Sequence, residues 1–388
     1  MKMLFYRYGS ICEDDIIKTF EEFGIEIIEY DREVYDKRFP VEREVLEIAE
    51  LLDGNNILFV FSINFFPYLS EIAKIYKIRY VTWVVDSPVL ELYTKEIKND
   101  NNRIFIFDRQ LKEEIAKYNE KCVFHLPLGA RVEEKEKIFE EKRKFKHEIS
   151  FVGSLYTEKN PISLYEKNIP DFYRGYLAGI SDMQEWCYGT YMIDQIVDDD
   201  FVLKIKKYMN EFEDVNKYEY LTDRIIFTQY YMGAAVTAKE RVDTFKMLSK
   251  KFNVDLYTLS DTSCLPKVNN CGQAKTKTQM PRIFYESKIN INTTSKAIRT
   301  GVPLRVFDIL SCKGFVLSNY QTEVLELFPQ GEALDVYVSL ENLEEKIEYY
   351  MLHEKERNEI AENGYEFLKK NYSMAKQLTK MLAIAFDI

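Results

Sequence analysis

Short apolar runs alternate with amphipathic segments along most of this sequence. In the first part of the chain the runs are MLFYRY, IEIIEY, ILFVFS, YVTWVV, RIFIF and CVFHL, and in the second part they are ISFVGS, VDLYT, KININ, FVLS and ALDVYV. Continuous apolar strands separated by helices are typical of a parallel sheet that is covered on both faces. The pattern therefore predicts an α/β protein with two doubly wound domains.

A lysine- and glutamate-rich stretch at 133–148 has mixed charge and no strand periodicity, and we interpret it as the connection between the domains. The first domain is then expected at 1–145 and the second at 146–373, with a closing helix at 374–388. Residues 156–221 are rich in tyrosine and helical in pattern, which predicts a helical insertion in the second domain. The expected architecture is two Rossmann-like halves that face each other.

The charge balance of the sequence excludes one common class of partner. Fifty-three basic residues against 64 acidic ones give a formal net charge of −11. That sign disfavours a protein that binds phosphate backbones, so we expect no nucleic-acid partner. A local basic pocket for one small anionic ligand remains compatible with an acidic surface.

The cysteines and histidines indicate a reduced protein without a structural metal. The six cysteines form no CxxC pair, and the three histidines stand at none of the zinc-site spacings. The N-terminal sequence MKMLFYRYGS is too short in apolar residues for a signal peptide. The longest apolar run, Ile57 to Phe66, is interrupted and too short to span a membrane. These features predict a cytoplasmic protein with no integral membrane segment.

Candidate site residues follow from the strand assignment, because ligands of an open parallel sheet bind beyond the carboxyl ends of its strands. In the first domain these positions are Gly9, Asn64, Asp86 and Ser87. We expect Asp86, which follows YVTWVV, to orient or deprotonate a hydroxyl nucleophile. The alternative interpretation is an aspartate that makes a turn hydrogen bond before Ser-Pro.

In the second domain the turn after ISFVGS contains Gly153 and Ser154, where small residues let backbone N–H groups approach a phosphate. The sequence has no GxGxxG after this strand, which argues against a nicotinamide or flavin dehydrogenase. It also has no GxxxxGK[ST], which argues against a P-loop enzyme.

The segment KININTTSKAIRTGVPLRVFDILSCKG contains the largest group of candidate residues. A strand ends at Asn292, and a turn at Gly301 leads into a helix whose N-terminus favours negative charge. Arg299 and Arg305 have guanidinium groups suited to phosphate oxygens, and Asp308 could accept hydrogen bonds from ribose hydroxyls. The alternative for the last two residues is an ordinary i,i+3 salt bridge.

The run Asp198 to Asp200 contains a DxD pattern of the kind that binds manganese or magnesium with a sugar nucleotide. It lies in the predicted helical insertion and does not follow a strand. A solvated acidic helix end is the favoured interpretation, and we predict no metal site.

Several segments resemble the CgeB-like (spore maturation protein) group of glycosyltransferases, of the glycosyl transferases group 1 type. They are FSINFF, YVTWVVDSP, IFDR and HLPLGA in the first half, and ISFVGSLY, ESKININ and GVPLRVFDILSCKG in the second. The resemblance implies a two-domain GT-B fold and transfer of a sugar from a nucleotide diphosphate donor. The donor would bind mainly to the C-terminal domain and the acceptor to the N-terminal domain, and metal is usually not required.

The resemblance also bears on individual positions. Asp308 matches the second acidic residue of a paired-glutamate motif, which usually holds the donor ribose. The first acidic position falls at about Thr300, so this sequence departs from the motif. The closing helix is expected to cross back onto the first domain, as in other members of the fold.

A mechanistic hypothesis follows from the charge of the leaving group. The departing nucleoside diphosphate would be stabilised by Lys288, Arg305 and the amides of Gly153 and Ser154, together with the helix N-terminus at 301–303. If the reaction inverts configuration, Asp86 is the candidate base. Further pocket walls are expected at Asn64, Tyr156 and Tyr285.

The resulting prediction is a hexosyltransferase with no cofactor, which uses a nucleotide sugar, with a UDP-sugar favoured, and a hydroxyl of a protein or glycan as acceptor. The alternative is a non-catalytic nucleotide-sugar-binding or scaffold protein of the same fold. Donor binding is expected to involve Gly153, Ser154, Tyr156, Tyr285, Lys288, Asn292, Arg299, Thr300, Gly301, Arg305 and Asp308.

Overall fold

Two parallel sheets of six strands each organise the chain. The computed structural model describes residues 1–31, 42–140 and 142–388. The strands are β1 (Lys2–Arg7), β2 (Glu26–Asp31), β3 (Phe59–Ile63), β4 (Arg79–Val84), β5 (Asn102–Ile106), β6 (Val123–His125), β7 (His147–Val152), β8 (Val254–Tyr257), β9 (Asn269–Asn270), β10 (Ser287–Asn292), β11 (Val316–Asn319) and β12 (Asp335–Tyr337).

Helices connect these strands. They are α1 (Glu13–Glu22), α2 (Glu42–Gly54), α3 (Pro67–Ile75), α4 (Arg109–Ala116), α5 (Glu136–Phe139), α6 (Asp171–Trp186), α7 (Ile193–Ile196), α8 (Asp199–Ile205), α9 (Asp223–Ile225), α10 (Gly233–Leu248), α11 (Met280–Glu286), α12 (Leu304–Leu310), α13 (Thr322–Leu327), α14 (Leu340–Leu352), α15 (Glu354–Asn371) and α16 (Met374–Phe386). A π-helical segment, Ile226–Met232, joins α9 to α10.

The first compact unit comprises Met1–Gly129, Val215–Leu221 and Tyr372–Ile388. Its strands have the order β2-β1-β3-β4-β5-β6 and all pair in parallel. Aromatic side chains fill the layer under α1, where the rings of Phe5 and Phe61 lie 5.1 Å apart. The abundance of phenylalanine and tyrosine in the sequence is thus partly a property of this core.

The second unit comprises Ala130–Asp214 and Thr222–Asn371, and its strands have the order β12-β11-β10-β7-β8-β9. The central strands β7, β10 and β11 are largely buried, because helices cover both faces of the sheet, and they carry buried polar residues such as Asn290 and Ser318 beside their apolar ones. The architecture confirms the predicted α/β class with two doubly wound domains. No strand lies between residues 156 and 221, a range that the structure describes in full.

The limits of the units differ from the limits predicted from the sequence. The first unit ends at Gly129 and not at residue 145, because the following segment packs on the second unit. There the Lys135 ammonium donates to Ser311 Oγ at 2.6 Å, and the Tyr365 hydroxyl donates to Glu136 Oε1 at 3.0 Å. The connection between the units is therefore shorter than the charged stretch of sequence suggests.

The end of the predicted insertion belongs to the first unit. In the segment Val215–Leu221 the Tyr220 amide donates to the Tyr93 carbonyl oxygen at 2.9 Å, and the Tyr220 ring stacks on Tyr118 with centroids 4.2 Å apart. Helix α16 is also part of this unit, where Phe386 packs on Phe59. Among the described helices, none is long and apolar enough to cross a bilayer.

Candidate functional site

The carboxyl ends of β1, β3 and β4 bring together a polar trio in the first unit. Asn64 Nδ2 donates to the Tyr8 hydroxyl at 2.8 Å and to Asp86 Oδ2 at 2.7 Å. Asn64 Oδ1 accepts from the Val85 amide at 3.0 Å, which fixes the orientation of the carboxamide. Asn64 is buried whereas Asp86 is exposed. The buried amide of Asn64 therefore holds the Asp86 carboxylate at the edge of the sheet, where it contacts solvent. Ser87 follows directly in the half-buried turn.

Tyr8 stays protonated in this arrangement. Burial raises the pKa of Tyr8 above its ordinary value, and the negative charge of Asp86 raises it further. The trio thus combines a carboxylate that can accept a proton with a neutral phenol. This geometry suits the predicted role of Asp86 as a base, and the role itself stays a prediction.

The amides of the loop after β1 bind a carboxylate of the same chain. The amides of Tyr8, Gly9 and Ser10 all donate to Glu13 Oε1, at 2.8, 3.0 and 3.0 Å. Glu13 is 1% exposed, and its second oxygen accepts from Arg7 Nε at 3.1 Å. Successive amides of this kind form an anion-binding concavity. Because Glu13 occupies it, the Gly9 amide is already hydrogen-bonded within the chain, and the acceptor-side role of Gly9 stays a prediction.

In the second unit the loop after β7 is also internally bonded. The Gly153 amide donates to the Tyr257 carbonyl oxygen at 3.1 Å and thereby continues the sheet. Ser154 Oγ accepts from the Tyr156 amide at 2.7 Å and donates to Glu158 Oε1 at 2.6 Å. A neighbouring strand thus uses this donor, so the geometry gives no support to the prediction that the Gly153 amide binds phosphate.

A buried arginine of α10 joins the loops after β7 and β10. Arg241 Nη1 donates to the Ser154 carbonyl oxygen at 2.5 Å, and Nη2 donates to the Thr293 carbonyl oxygen at 2.7 Å. Its guanidinium lies 4.6 Å from the centre of the Tyr156 ring. Ser154 and Tyr156, two of the predicted donor-binding residues, thus meet at a residue that the sequence did not single out.

The charge of Arg241 is poorly compensated by the protein. The side chain is 8% exposed, and burial lowers the pKa of its guanidinium. The negative charge of Glu240 raises this pKa and the positive charge of Arg305 lowers it, while burial remains the largest effect. Within the described residues no carboxylate forms an ion pair with Arg241, and its Nε has no hydrogen-bond partner. A buried cation in this state favours an anionic ligand.

The loop after β10 is held by further charged pairs. The Lys296 ammonium lies 3.2 Å from Glu240 Oε2, and both side chains are almost completely buried. Arg299 Nη1 lies 2.6 Å from Asp194 Oδ2, and its guanidinium stacks on the Tyr191 ring at 4.6 Å. Arg299 is thus part of an internal ion pair, and its predicted role as a phosphate fork lacks geometric support.

Polar side chains at the end of β10 fix the same loop. Asn292 Nδ2 donates to Ser318 Oγ at 2.9 Å and to Thr294 Oγ1 at 3.1 Å, so Asn292 ties β10 to β11. Thr300 Oγ1 donates to Glu323 Oε1 at 2.7 Å, and the Glu323 amide donates to the Thr300 carbonyl oxygen at 3.1 Å. A buried carboxylate therefore lies beside Thr300, supplied by α13.

Arg305 and Asp308 lie on one side of α12 and contact each other. Arg305 Nη1 donates to Asp308 Oδ2 at 3.0 Å, and about a fifth of each side chain is exposed. The guanidinium also lies 5.4 Å from the centre of the Phe284 ring. The pair matches the alternative interpretation of an i,i+3 salt bridge, while its exposed portions leave both groups accessible to a ligand. Gly301 and Pro303 precede α12, and Pro303 is its N-cap and not its first residue.

Two of the predicted donor-binding residues, Tyr285 and Lys288, lie at the amino end of β10, away from the carboxyl ends of the strands. Lys288 is the second residue of β10, and Asn292 is its last. At about 3.3 Å per residue the two ends are about 13 Å apart. Tyr285 precedes the strand, where it packs against Arg143 and Phe139 at 4.2 and 5.3 Å. Tyr285 and Lys288 therefore do not join the cluster around Arg241.

The acidic run of the insertion begins a helix. Asp198 is the N-cap of α8, and its side chain accepts from the Phe201 amide at 2.8 Å. Asp199 and Asp200 occupy the exposed first turn. In the described ranges no group of three potential metal ligands lies together.

Three further residues of the candidate site are not among the predicted ones, and they lie in two different kinds of place. Tyr8 directly follows β1, so the rule that ligands bind at strand ends could have identified it. Arg241 and Glu240 lie in the middle of a long helix, where charged residues are usually solvated. Nothing in the local sequence indicates their burial, because the segments that cover α10 are distant in the chain.

Comparison with known proteins connects this geometry to a family. Residues 237–383 match the family model described as glycosyl transferase-like. HepE from Anabaena, in complex with UDP and glucose, has a similar structure, with a TM-score of 0.56, 8% identity and coverage of 100% of both chains. The fold is the GT-B fold of glycosyltransferases.

Other structures with the GT-B fold resemble this chain to a similar degree. A glycosyltransferase from Rickettsia africae aligns with a TM-score of 0.54 and 12% identity, over 100% of this chain and 98% of that one. The DNA-modifying enzyme β-glucosyltransferase, studied with and without uridine diphosphoglucose, aligns with 0.53 and 11% over 100% of both chains. A search among curated proteins finds no match. The family match and the fold support a transferase.

Proposed function

We propose that the chain is a glycosyltransferase of the CgeB-like group that moves a hexosyl group from a UDP-sugar to a hydroxyl of a protein or glycan. The bond between the anomeric carbon and the diphosphate oxygen breaks, and a bond to the acceptor oxygen forms. The nucleoside diphosphate leaves with the bonding electrons. If the configuration inverts, Asp86 takes the acceptor proton.

The observation that carries this proposal is the buried, poorly compensated charge of Arg241. Two of its N–H groups hold the loops after β7 and β10 at the sheet edge where ligands of parallel sheets bind. A diphosphate near Arg241 and Arg305 would neutralise both guanidinium groups, and this attraction grows as negative charge develops on the leaving group. Protein cations would then do the work that a metal ion does in other transferases, and no cofactor is needed.

Two further observations bear on the carrier nucleotide and on the cellular compartment that we propose. HepE and β-glucosyltransferase, which share the fold, were studied with UDP or uridine diphosphoglucose, and this favours UDP as the carrier. All six cysteines are described and are free thiols, which is typical of the reducing cytoplasm.

The proposal is tested with the full chain, a panel of nucleotide sugars and an assay for released nucleoside diphosphate. We expect UDP release, and we expect Arg241→Met to lower kcat/KM for the donor by at least about tenfold through the loss of a charged hydrogen-bond donor. Arg43→Met is the matched control, because that side chain is 83% exposed on α2. Binding of UDP-sugars without any turnover would favour the non-catalytic alternative. Neither binding nor turnover of any donor would overturn both.

A further inference from the structure

Helix α6 of the insertion exposes an apolar face that neither the core nor the proposed donor site uses. Phe172 and Trp186, near its two ends, are 74% and 79% exposed. Tyr176 is 38% exposed, and its ring packs in part on Phe201 of α8, with centroids 4.7 Å apart. At 100° per residue these three lie on one side of the helix together with Gly175, Gly179 and Met183. We call these six residues the α6 stripe. Burial of Leu177, Ile180 and Gln184 shows that the opposite side of α6 packs on the second unit.

The centre of the stripe is a shallow channel. No atom of the described chain lies within 4 Å of where a Cβ of Gly175 or Gly179 would be. Small residues at these positions would let another backbone approach the helix closely, with bulky aromatic groups at both ends of the channel. Other large apolar side chains of this chain are as exposed, but here exposed aromatic residues share one side of a helix, and contiguous exposed apolar patches mark interaction sites.

We infer that the α6 stripe is the interface with a second copy of this chain, in which two α6 helices cross antiparallel about a two-fold axis at Gly179. Such an interface requires a surface that complements itself. Phe172 lies seven residues before Gly179 and Trp186 lies seven after it. Each Phe172 would therefore meet Trp186 of the partner subunit.

The other members of the stripe also pair in this arrangement. Gly175 lies four residues before Gly179 and Met183 four after it, so the flexible methionine would fill the space over the glycine of the partner. Tyr176 lies three residues before Gly179 and Asp182, beside the stripe, lies three after it, so the Tyr176 hydroxyl would face a carboxylate that also lies 3.2 Å from the Lys239 ammonium of its own chain. A crossing centred on Gly179 thus places no two like charges opposite each other along the stripe.

Charge and area favour a second copy over a lipid surface. The helix contains Asp171, Asp182 and Glu185 against the single cation Arg174, whereas helices that lie on anionic membranes are rich in lysine and arginine. An aromatic side chain buries about 150–250 Å². Because the three rings are already partly buried, the six rings of two copies contribute roughly 600–950 Å². With Met183 and the glycine channel the interface approaches about 1,000 Å², the lower limit of a specific interface. The expected dimer is therefore weak and concentration-dependent.

The first test is sedimentation velocity of the full chain over a concentration series, where we expect the mass to rise from 46.1 kDa towards twice that value. Gly179→Arg should abolish the rise, since the new side chain would fill the channel. It should fold, because its Cβ has open space and arginine favours helices more than glycine does. Ala178→Arg adds the same charge on the same helix but off the stripe, and it should still dimerise. A chain that is monomeric throughout, or a Gly179→Arg dimer, would overturn the proposal.

Cross-linking tests the direction and register of the helices. In a background with Cys187, Cys264 and Cys271 changed to serine, a mixture of Phe172→Cys and Trp186→Cys chains is treated with oxidised glutathione, which takes up the two electrons of each new disulfide. The mixed disulfide should form at least tenfold faster than either variant forms one with itself. Gly179→Cys alone should cross-link to itself. Faster self-linking of Phe172→Cys would contradict the antiparallel register. A last measurement tests binding of the monomer to phosphatidylcholine vesicles. If the parent chain binds them and Phe172→Ala does not, the stripe contacts lipid and the dimer proposal is overturned.

Discussion

At the scale of single residues, the two units differ in how their strand-end loops satisfy charged groups. In the first unit Glu13 satisfies the amides after β1, so that site is filled by the chain itself. In the second unit Arg241 is buried near Arg305 without an ion pair among the described residues. An external anion therefore gains more at the second site than at the first. This difference supports a division of roles in which the second unit binds the nucleotide.

Replacement of Asp86 tests the first unit. Asp86→Asn removes the carboxylate base but keeps an oxygen that can accept from Asn64 Nδ2. For an inverting reaction we expect kcat to fall by about 10²–10⁴-fold, with little change in the KM for the donor, since proton transfer is lost while donor contacts remain. Steady-state kinetics with saturating acceptor measure both constants. Asp199→Asn, on the exposed first turn of α8, is the control, and an unchanged kcat in Asp86→Asn would exclude it as the base.

Glu13 offers a test of the filled anion site. Glu13→Ala removes a buried acceptor of three amide hydrogen bonds, and we expect the free energy of unfolding to fall by about 2–3 kcal/mol. Because the amides can still bind an anion, sulfate should raise the Tm of Glu13→Ala more than that of the parent chain. Thermal unfolding with and without sulfate provides the measurement. The exposed control Glu21→Ala should show neither effect, and an equal response of all three proteins would contradict the interpretation.

At the scale of elements, the sequence pattern predicts the parallel strands well and the helix ends less well. The helical region before the closing helix consists of two helices, α14 and α15, because the chain leaves the helical conformation at His353. The helical character of the insertion follows from its periodicity. Its return to the first unit at Val215–Leu221 does not, since this depends on contacts of Tyr220 with residues about a hundred positions away.

Dependence on contacts between distant parts of the chain also limits what the sequence shows about the candidate site. Residues at strand ends, such as Asn64 and Asp86, were identified because the topology alone determines which edge they occupy. Lys288 does not meet this criterion, because it is the second residue of β10 and not its last. The partners of Gly153 and Arg299 come from other elements, so their occupied hydrogen bonds could not be foreseen. Arg241 could not be identified from the sequence, because the local sequence of a helix that is buried on both sides does not show that a charged residue in it is buried.

Close packing of α15 gives a prediction for a whole element. A Cβ on Gly364 would overlap the carbonyl oxygen of Ala333 and approach Leu310 Cδ2 at 2.7 Å. Gly364→Ala should therefore lower the free energy of unfolding by about 1–3 kcal/mol despite its better helix propensity. Gly54→Ala, in α2, meets no atom within 4 Å and should be neutral or slightly stabilising. Urea unfolding of the two variants gives the comparison, and equal effects would show that α15 can shift to accommodate the methyl group.

At the scale of the whole molecule, the net charge of −11 provides no long-range attraction for an anionic donor. Affinity for a diphosphate must therefore come from local cations, of which Arg241 is buried and Arg305 is largely buried. Buried charges are screened by salt much less than exposed ones. Donor binding through these groups should thus depend only weakly on ionic strength, in contrast to proteins that attract their ligands through an overall charge.

Removal of metal tests whether these cations are sufficient. If the guanidinium groups stabilise the leaving diphosphate, the initial rate of UDP release should change less than about twofold after dialysis against EDTA, because no step requires a divalent ion. Readdition of magnesium or manganese should give no gain. In Arg241→Met, by contrast, added magnesium could replace part of the lost positive charge and raise the rate. An EDTA-treated parent chain that loses activity and regains it with one divalent ion would contradict metal independence. The response to sugar-donor concentration would then reveal whether the ion acts with the nucleotide or on the protein.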